Sequence, residues 1–120
     1  PKGMHVFYVD SPYTTARDAY DKILEEKGLP AGSHGSIQDT SEMMYLETLP
    51  GNSNWVRKDL LPNTVGIPIV NGKPQRGPDS PKNGITGDAR KSSVELGKLR
   101  HEMKVDYAVK QIQGFMAAPR

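Results

Sequence analysis

The chain is organised around one stretch, residues 32–44, which reads GSHGSIQDTSEMM. His34 lies in a glycine-containing loop, and Asp39 follows it five residues later at the start of a predicted helix. Imidazole and carboxylate are the usual non-thiol ligands of zinc and manganese in proteins. Gly32 and Gly35 let the backbone pass close to such a site without a Cβ clash. A metal site at His34 and Asp39 is therefore one interpretation of this pattern.

The same residues also fit an interpretation without a metal. Asp39 or Thr40 then caps the helix, and His34 is a solvated loop residue. Short motifs often occur by chance, so the spacing alone favours this simpler interpretation. The choice between the two depends on the rest of the chain.

Two motifs, about fifty residues apart, resemble the second half of the creatininase (creatinine amidohydrolase) family. Residues 34–41 (HGSIQDTS) resemble the family's His-Ala-Gly-x-x-Glu-Thr-Ser signature, with Gly35, Ser36 and Asp39 where the family has Ala, Gly and Glu. Residues 84–90 (GITGDAR) resemble the family's Gly-Val-x-Gly-Asp-Pro-Arg, which precedes a long last helix. Two matches in the same order are more specific than either alone.

The resemblance implies an α/β fold, a creatininase-like layered sheet with flanking helices, of which residues 1–120 form only the second half. The family's first half carries further metal ligands, including an Asp-x-His pair, and this chain contains no such pair. We therefore expect a missing N-terminal half of the same precursor, or a separate partner subunit, to complete the domain. Pro1 cannot be an initiating residue, which also indicates a segment upstream.

The function implied by the resemblance is that of a metal-dependent amidohydrolase, which cleaves a non-peptide C–N bond in a cyclic amide, a formamide or a similar small molecule. His34 and Asp39 would bind one or two divalent ions, zinc or manganese, and Asp39 would also take part in catalysis by a metal-activated water. Gly84, Gly87 and Asp88 would shape the substrate pocket. The working form would be a homo- or hetero-oligomer.

A binding or scaffolding subunit that keeps the fold without the chemistry is the competing function. Asp39 supports it, since an aspartate places its carboxylate about 1.5 Å short of a glutamate's. Metal–ligand distances vary by only about 0.2 Å, so a metal would lose a ligand unless the backbone shifts.

Trp55 is the only tryptophan and lies in a polar loop after the central helix. It either lies over the substrate pocket or covers the end of that helix. The family encloses its substrate with aromatic residues, which supports the first position, but no family residue aligns with Trp55 itself.

Composition limits the chain to one domain with a modest core. Its 120 residues are 35% hydrophobic and 25% charged, as in a folded rather than a disordered chain. The lack of cysteine excludes thiolate metal sites and disulfides, which fits a reducing compartment. No apolar run approaches the roughly 20 residues that span a bilayer. We expect a soluble, cytoplasmic protein that does not bind membranes.

Charge is distributed unevenly along the chain. Residues 1–60 carry six Lys and Arg against nine Asp and Glu, net −3, and residues 61–120 carry ten against five, net +5. The basic second half raises nucleic-acid binding as a function. We expect none, because acidic residues interrupt the basic run of the last helix and no aromatic residue lies among the cations to stack on bases.

Two apolar runs, residues 4–10 and 65–70, predict strands. The first is apolar nearly throughout, which favours a strand covered on both faces. The second contains Pro68, which confines it to a sheet edge or an irregular pairing. It ends at a turn formed by Asn71 and Gly72.

The long loop at residues 72–87 carries three cations, Lys73, Arg76 and Lys82. Loops of this length tend to be functional or to pack on a partner. Its cations suit an anionic ligand, or serve only solubility.

Three segments predict helices, each with an apolar face at helical spacing. The first begins after Thr14 or Thr15 and ends at Gly28, the second covers residues 40–49, and the third covers residues 88–116 with Asp88 or Ser92 as its cap. The inner residues predicted for them are, in order, Ala16, Ala19, Tyr20, Ile23 and Leu24; Met43, Met44 and Leu46; and Val94, Leu99, Met103, Ala108, Ile112, Phe115 and Met116. The third helix, about 40 Å long, exceeds what so short a chain can cover, so we expect its apolar face to meet other material.

Overall fold

The computed structural model describes residues 3–30 and 32–118, and helices dominate these ranges. Pro1, and with it the expectation of an upstream segment, lies outside the described residues. The elements, in chain order, are α1 (Pro12–Glu26), α2 (Ile37–Leu46), a short 3-10 helix (Lys58–Asn63), β1 (Ile69–Val70), β2 (Lys73–Pro74) and α3 (Val94–Ala117). The two strands pair antiparallel, with Ile69 opposite Pro74 and Val70 opposite Lys73.

The predicted α/β fold with a layered sheet is wrong for the described part of the chain. Its only sheet has two strands of two residues each. Residues 4–10, predicted as a strand, have no regular structure, and Val6 is 89% exposed. A strand exists only when a neighbour takes up its backbone hydrogen bonds, and no described segment pairs with this apolar run.

Helix α1 confirms the predicted first helix, although it begins at Pro12, three or four residues earlier than predicted. Pro12 occupies the first turn, where its missing N–H costs nothing and its fixed φ suits a helix. Ala16, Tyr20 and Leu24 are buried on one face, as predicted. Gly28 follows the last turn with φ of 65°, the left-handed conformation that commonly ends a helix.

The hydrophobic core is small and lies where the three helices meet. Tyr20, Leu24 and Ile37 are fully buried. The partly buried residues packed on them are Leu29, Leu96, Leu99 and Met103. The Cα radius of gyration is 17.7 Å, whereas a compact domain of this length would have about 13.6 Å. The described chain is therefore elongated, with much of α3 outside the core.

Helix α2 begins three residues before the predicted start and faces the core with polar side chains. Ser41 and Glu42 are buried, whereas Met43, predicted as an inner residue, is 39% exposed. The reason lies on α3, whose Gly97 approaches the backbone of α2 so closely that a Cβ there would overlap the Ser41 carbonyl oxygen. This close crossing leaves the interface no room for methionine.

The predicted second strand is fragmentary. Val65 forms an isolated bridge with Asp88 and Ile67 one with Thr86, and the ladder with β2 begins only at Ile69. The turn after it is confirmed: Asn71 and Gly72 both have positive φ, 51° and 73°, as a type I′ hairpin turn requires.

Helix α3 begins later than predicted, because Ser93 is its N-cap and accepts a hydrogen bond from the Leu96 N–H at 3.1 Å. Asp88 and Ser92, the predicted caps, lie before the helix. Its 24 residues extend about 36 Å. Four apolar residues form an exposed row along its second half: Val105, Val109, Ile112 and Met116. No described helix has the length and apolar character needed to cross a membrane.

Candidate functional site

His34 and Asp39 line the same cavity, which has a volume of about 300 Å³ and lies at the N-terminus of α2. We call it the central cavity. Its side chains come from the loop before α2 and from all three helices: Tyr13, Arg17, His34, Gln38, Asp39 and Arg100. The sequence spacing thus brings the two predicted ligands to one place.

Two glycines shape the loop that carries His34, as the sequence indicated. Gly35 has φ of 61°, a conformation that side chains with a Cβ rarely adopt. At Gly32 a Cβ would overlap the Ser36 side chain and lie 3.0 Å from the Thr86 carbonyl oxygen. The loop therefore turns tightly into α2 and passes directly against residue 86.

The two motifs that resemble the creatininase family meet at this loop. The Ser33 N–H donates to the Thr86 carbonyl at 2.9 Å, and the Thr86 N–H donates to the His34 carbonyl at 2.9 Å. Residues 84–90 thus hold the backbone of His34 from one side. Segments about fifty residues apart in the sequence form one local structure.

Asp39 is held by both of its carboxylate oxygens. Oδ2 accepts the backbone N–H of Gly35 at 3.0 Å, and Oδ1 accepts Arg100 Nη1 at 3.3 Å. The side chain stays 45% exposed toward the cavity. Each carboxylate oxygen has a second lone pair, so these bonds orient Asp39 without exhausting its capacity to accept. Ser36, rather than Asp39 or Thr40, occupies the N-cap position.

Behind Asp39 lies a buried charge cluster that sequence reasoning missed. Arg100, only 4% exposed, donates to Glu42 Oε2 at 2.8 Å as well as to Asp39. Lys104 forms an ion pair with Glu42, and His101 Nδ1 lies 3.4 Å from Glu42 Oε1. One observation in the sequence could have indicated the cluster: Gly97, Arg100 and Lys104 share a face of α3 at helical spacing. His101 contacts Glu42 and does not line the cavity.

Gly84, from the predicted pocket wall, lines a second cavity of about 380 Å³, to which His34 also contributes. We call it the basic cavity. The residues that define it are His34, Arg76, Ser80, Lys82, Gly84 and Thr86. His34 thus lies between the central and the basic cavity.

Gly87 and Asp88 line a different cavity, of about 230 Å³, together with Val65 and Gly66. The Asp88 carboxylate is bonded to the Arg90 side chain at 2.7 Å and to the Arg90 N–H at 2.9 Å. The Arg90 guanidinium lowers the pKa of Asp88 below its ordinary value. This carboxylate is directed to Arg90 rather than to the central cavity.

Trp55 is half exposed, and its segment is fastened to the C-terminal end of α2. Glu47 Oε2 accepts the N–H groups of Trp55 and Val56, at 2.7 and 3.0 Å, and Oε1 lies 2.8 Å from Lys58 Nζ. The ion pair with Lys58 and these backbone bonds lower the pKa of Glu47 to about 2. This placement agrees with Trp55 at the helix end, and Trp55 does not line the central cavity.

The residues of the central cavity fit part of a metal site. Zinc and manganese sites take at least three protein ligands as a rule. Within residues 3–30 and 32–118, no three His, Cys, Asp or Glu side chains are grouped so that they could hold a metal ion. His34 and Asp39 offer two donors of suitable chemistry, so any ion bound here would need further donors from outside the described chain.

Comparison of the chain with protein-family models, with curated proteins and with solved structures found no match. The resemblance to the creatininase family therefore rests on the two motifs alone.

Proposed function

We propose that this chain supplies His34 and Asp39 to the site of a metal-dependent amidohydrolase, which cleaves a non-peptide C–N bond in a small molecule such as a cyclic amide or a formamide. One observation carries the proposal. The two motifs of the resemblance, far apart in the sequence, lie against each other through Ser33, His34 and Thr86, with both predicted ligands on one cavity.

In this proposal, the bound ion is zinc or manganese, one or two per site, and it supplies polarisation of the amide carbonyl and activation of water. Asp39 binds the ion or accepts a proton from the attacking water. Arg100 and the Gly35 N–H fix the orientation of Asp39, because hydrogen bonds behind a ligand commonly set its geometry. The Thr86 N–H fixes the backbone of His34.

The remaining ligands come from a second polypeptide, either the N-terminal half of the same precursor or a separate subunit. The exposed row on α3 supports this, since Val105, Val109, Ile112 and Met116 form a continuous apolar face. Apolar patches of this kind commonly mark contact surfaces. We also propose that the assembled enzyme is cytoplasmic, since this chain has no cysteine and therefore no disulfide, as is usual for proteins of a reducing compartment.

We expect the chain alone to associate in solution through this row. Sedimentation velocity of the purified chain should give a species larger than a monomer, unless the chain is already recovered together with a second polypeptide. The double variant Val109→Glu with Ile112→Glu should abolish association, because charges on this face cannot be buried without partners. The control is Lys110→Glu with Gln113→Glu, two exposed polar positions on the same helix. A monodisperse wild-type monomer with a cooperative thermal transition would refute the expectation.

Metal content of the protein, in the assembly in which it is isolated, tests the site itself. We expect about one or two zinc or manganese ions per site by mass spectrometry. His34→Ala and Asp39→Asn should each lower metal affinity at least tenfold and abolish hydrolysis of small amides. Asp39→Glu should preserve or improve affinity, because it restores the glutamate of the resembled family.

The control for these variants is His5→Ala, which removes an exposed histidine outside the central cavity. It should leave metal content and activity unchanged. His34→Ala should leave the free energy of unfolding of the metal-free protein within about 1 kcal/mol of the wild type, as for other exposed loop residues. Full activity in His34→Ala would exclude the site.

A binding or scaffolding subunit is the second candidate. The observation in its favour is that both Asp39 oxygens already have structural partners, Gly35 and Arg100, which would justify an aspartate without any metal. This function predicts that Asp39→Asn and the wild type have the same affinity for metal. Absence of metal from preparations made with excess zinc and manganese would favour it.

A further inference from the structure

We infer that the ligand of this site carries a small anionic group, a phosphate or a carboxylate, which binds in the basic cavity beside His34. The inference rests on the proposed function and specifies its substrate class: an amide with an acidic substituent. The cations that would bind this group belong to the long loop at residues 72–87. The proposed metal site does not use them.

The charge of the basic cavity is the first argument. Arg76 and Lys82 both line it, and none of its lining residues is acidic. Two cations in a cavity without a carboxylate make its potential positive, which favours a bound anion. The central cavity differs, because Asp39 balances Arg100 there.

The second argument is that these cations have no internal partner. Among the residues that the structure describes, neither Arg76 nor Lys82 forms an ion pair or a side-chain hydrogen bond. Other arginines of the chain do pair with a neighbouring carboxylate, at 3.0 Å for Arg17 and Asp18 and at 2.7 Å for Arg57 and Asp59. The guanidinium of Arg76 therefore keeps its fork of donors available for the two oxygens of a phosphate or carboxylate.

The loop that carries the cations contains an internally bonded turn and is fastened to a neighbouring segment. The Gly77 N–H donates to Ser80 Oγ at 2.7 Å, and the Ser80 N–H donates to the Gly77 carbonyl at 3.1 Å. Beyond Lys82, the Asn83 side chain donates to the Val65 carbonyl at 2.8 Å. These bonds reduce the entropy that the loop would lose when a ligand binds.

His34 connects this cavity to the proposed chemistry. It lines both the basic cavity and the central cavity, while Asp39 lies on the central side. A single small molecule can therefore present its amide near His34 and Asp39 and its anionic group toward Arg76 and Lys82. A neutral amide would leave both cations unused.

The test uses the full chain without added metal and titrates inorganic phosphate, and separately acetate, by NMR chemical shifts. We expect saturable phosphate binding that perturbs the backbone amides of Gly77, Ser80 and Gly84. Arg76→Gln and Lys82→Gln should each weaken it at least fivefold, and the double variant should abolish it. Tighter binding of phosphate or of acetate identifies the anionic group. Lys73→Gln is the control, because Lys73 belongs to the same loop but does not line the cavity.

Absence of saturable binding of both anions, or an equal loss in Lys73→Gln and Arg76→Gln, would overturn the inference. Failure of the proposed function is distinguishable from this. Asp39→Asn should lose metal in the isolated assembly and keep phosphate binding by the chain, whereas the Arg76→Gln and Lys82→Gln double variant should lose phosphate binding by the chain and keep metal in the assembly. Phosphate binding that survives in the double variant would show a different site and also overturn the inference.

Discussion

Gly97→Ala is expected to destabilise the protein by about 3 kcal/mol or more, because overpacking at a rigid contact costs 1–3 kcal/mol and this contact is to backbone. A Cβ at this position would overlap the carbonyl oxygen of Ser41 and lie 2.9 Å from the Glu42 nitrogen. Neither atom can move as a flexible side chain does. The two helices would have to separate, which would also pull Arg100 away from Asp39.

The matched control for this variant lies in the same helix. Gly114 has no heavy atom within 4 Å of the place where its Cβ would lie. Gly114→Ala should therefore stabilise the protein by about 0.5–1 kcal/mol through helix propensity alone. Urea denaturation followed by circular dichroism measures both variants. Similar unfolding free energies for the two would mean that α2 and α3 do not cross as closely as described.

Features with a local cause were predicted correctly from the sequence. Helix α1 follows from its apolar spacing, with Gly28 as its end, and the turn at Asn71 and Gly72 follows from the two residue types. In the loop around His34, the glycines permit the turn that directs His34 and Asp39 to one cavity, but the Thr86 hydrogen bonds that hold the loop come from a segment about fifty residues away, and the metal site stays a prediction. For α1 and the turn, the deciding interactions lie within a few residues.

Features that depend on distant partners were not predictable in this way. Residues 4–10 have the composition of a strand, yet strand formation needs a neighbouring strand that the described chain does not provide. The methionines were predicted to lie on the inner face of α2. No residue near them in the sequence shows that this face instead contacts Gly97 and Arg100 of α3. Arg100 lies 61 residues from Asp39, so only the fold shows that it completes the site.

Glu42→Gln is expected to destabilise the protein by about 3–5 kcal/mol, as removal of one partner from a buried ion pair does. Glu42 is 8% exposed and holds Arg100 at 2.8 Å, so the variant leaves the buried guanidinium with Asp39, at 3.3 Å, as its one remaining anionic partner among the described residues. The charge of Lys104 is also left without its partner. The charge of Arg100 would then be balanced by Asp39 alone. We therefore expect the metal affinity of the site to fall as well.

The control for Glu42→Gln makes the same chemical change in an exposed pair. Glu102 lies 3.8 Å from Lys98 on the surface of α3, and its side chain is 55% exposed. Glu102→Gln should change the unfolding free energy by less than about 0.5 kcal/mol, since surface pairs contribute little. Adding Arg100→Met to Glu42→Gln should recover stability, because a buried charge without its partner is more costly than an apolar side chain of similar size. If the double variant is less stable than Glu42→Gln alone, the cluster does not act as a buried ion pair. That result would also contradict the proposal that Arg100 orients Asp39.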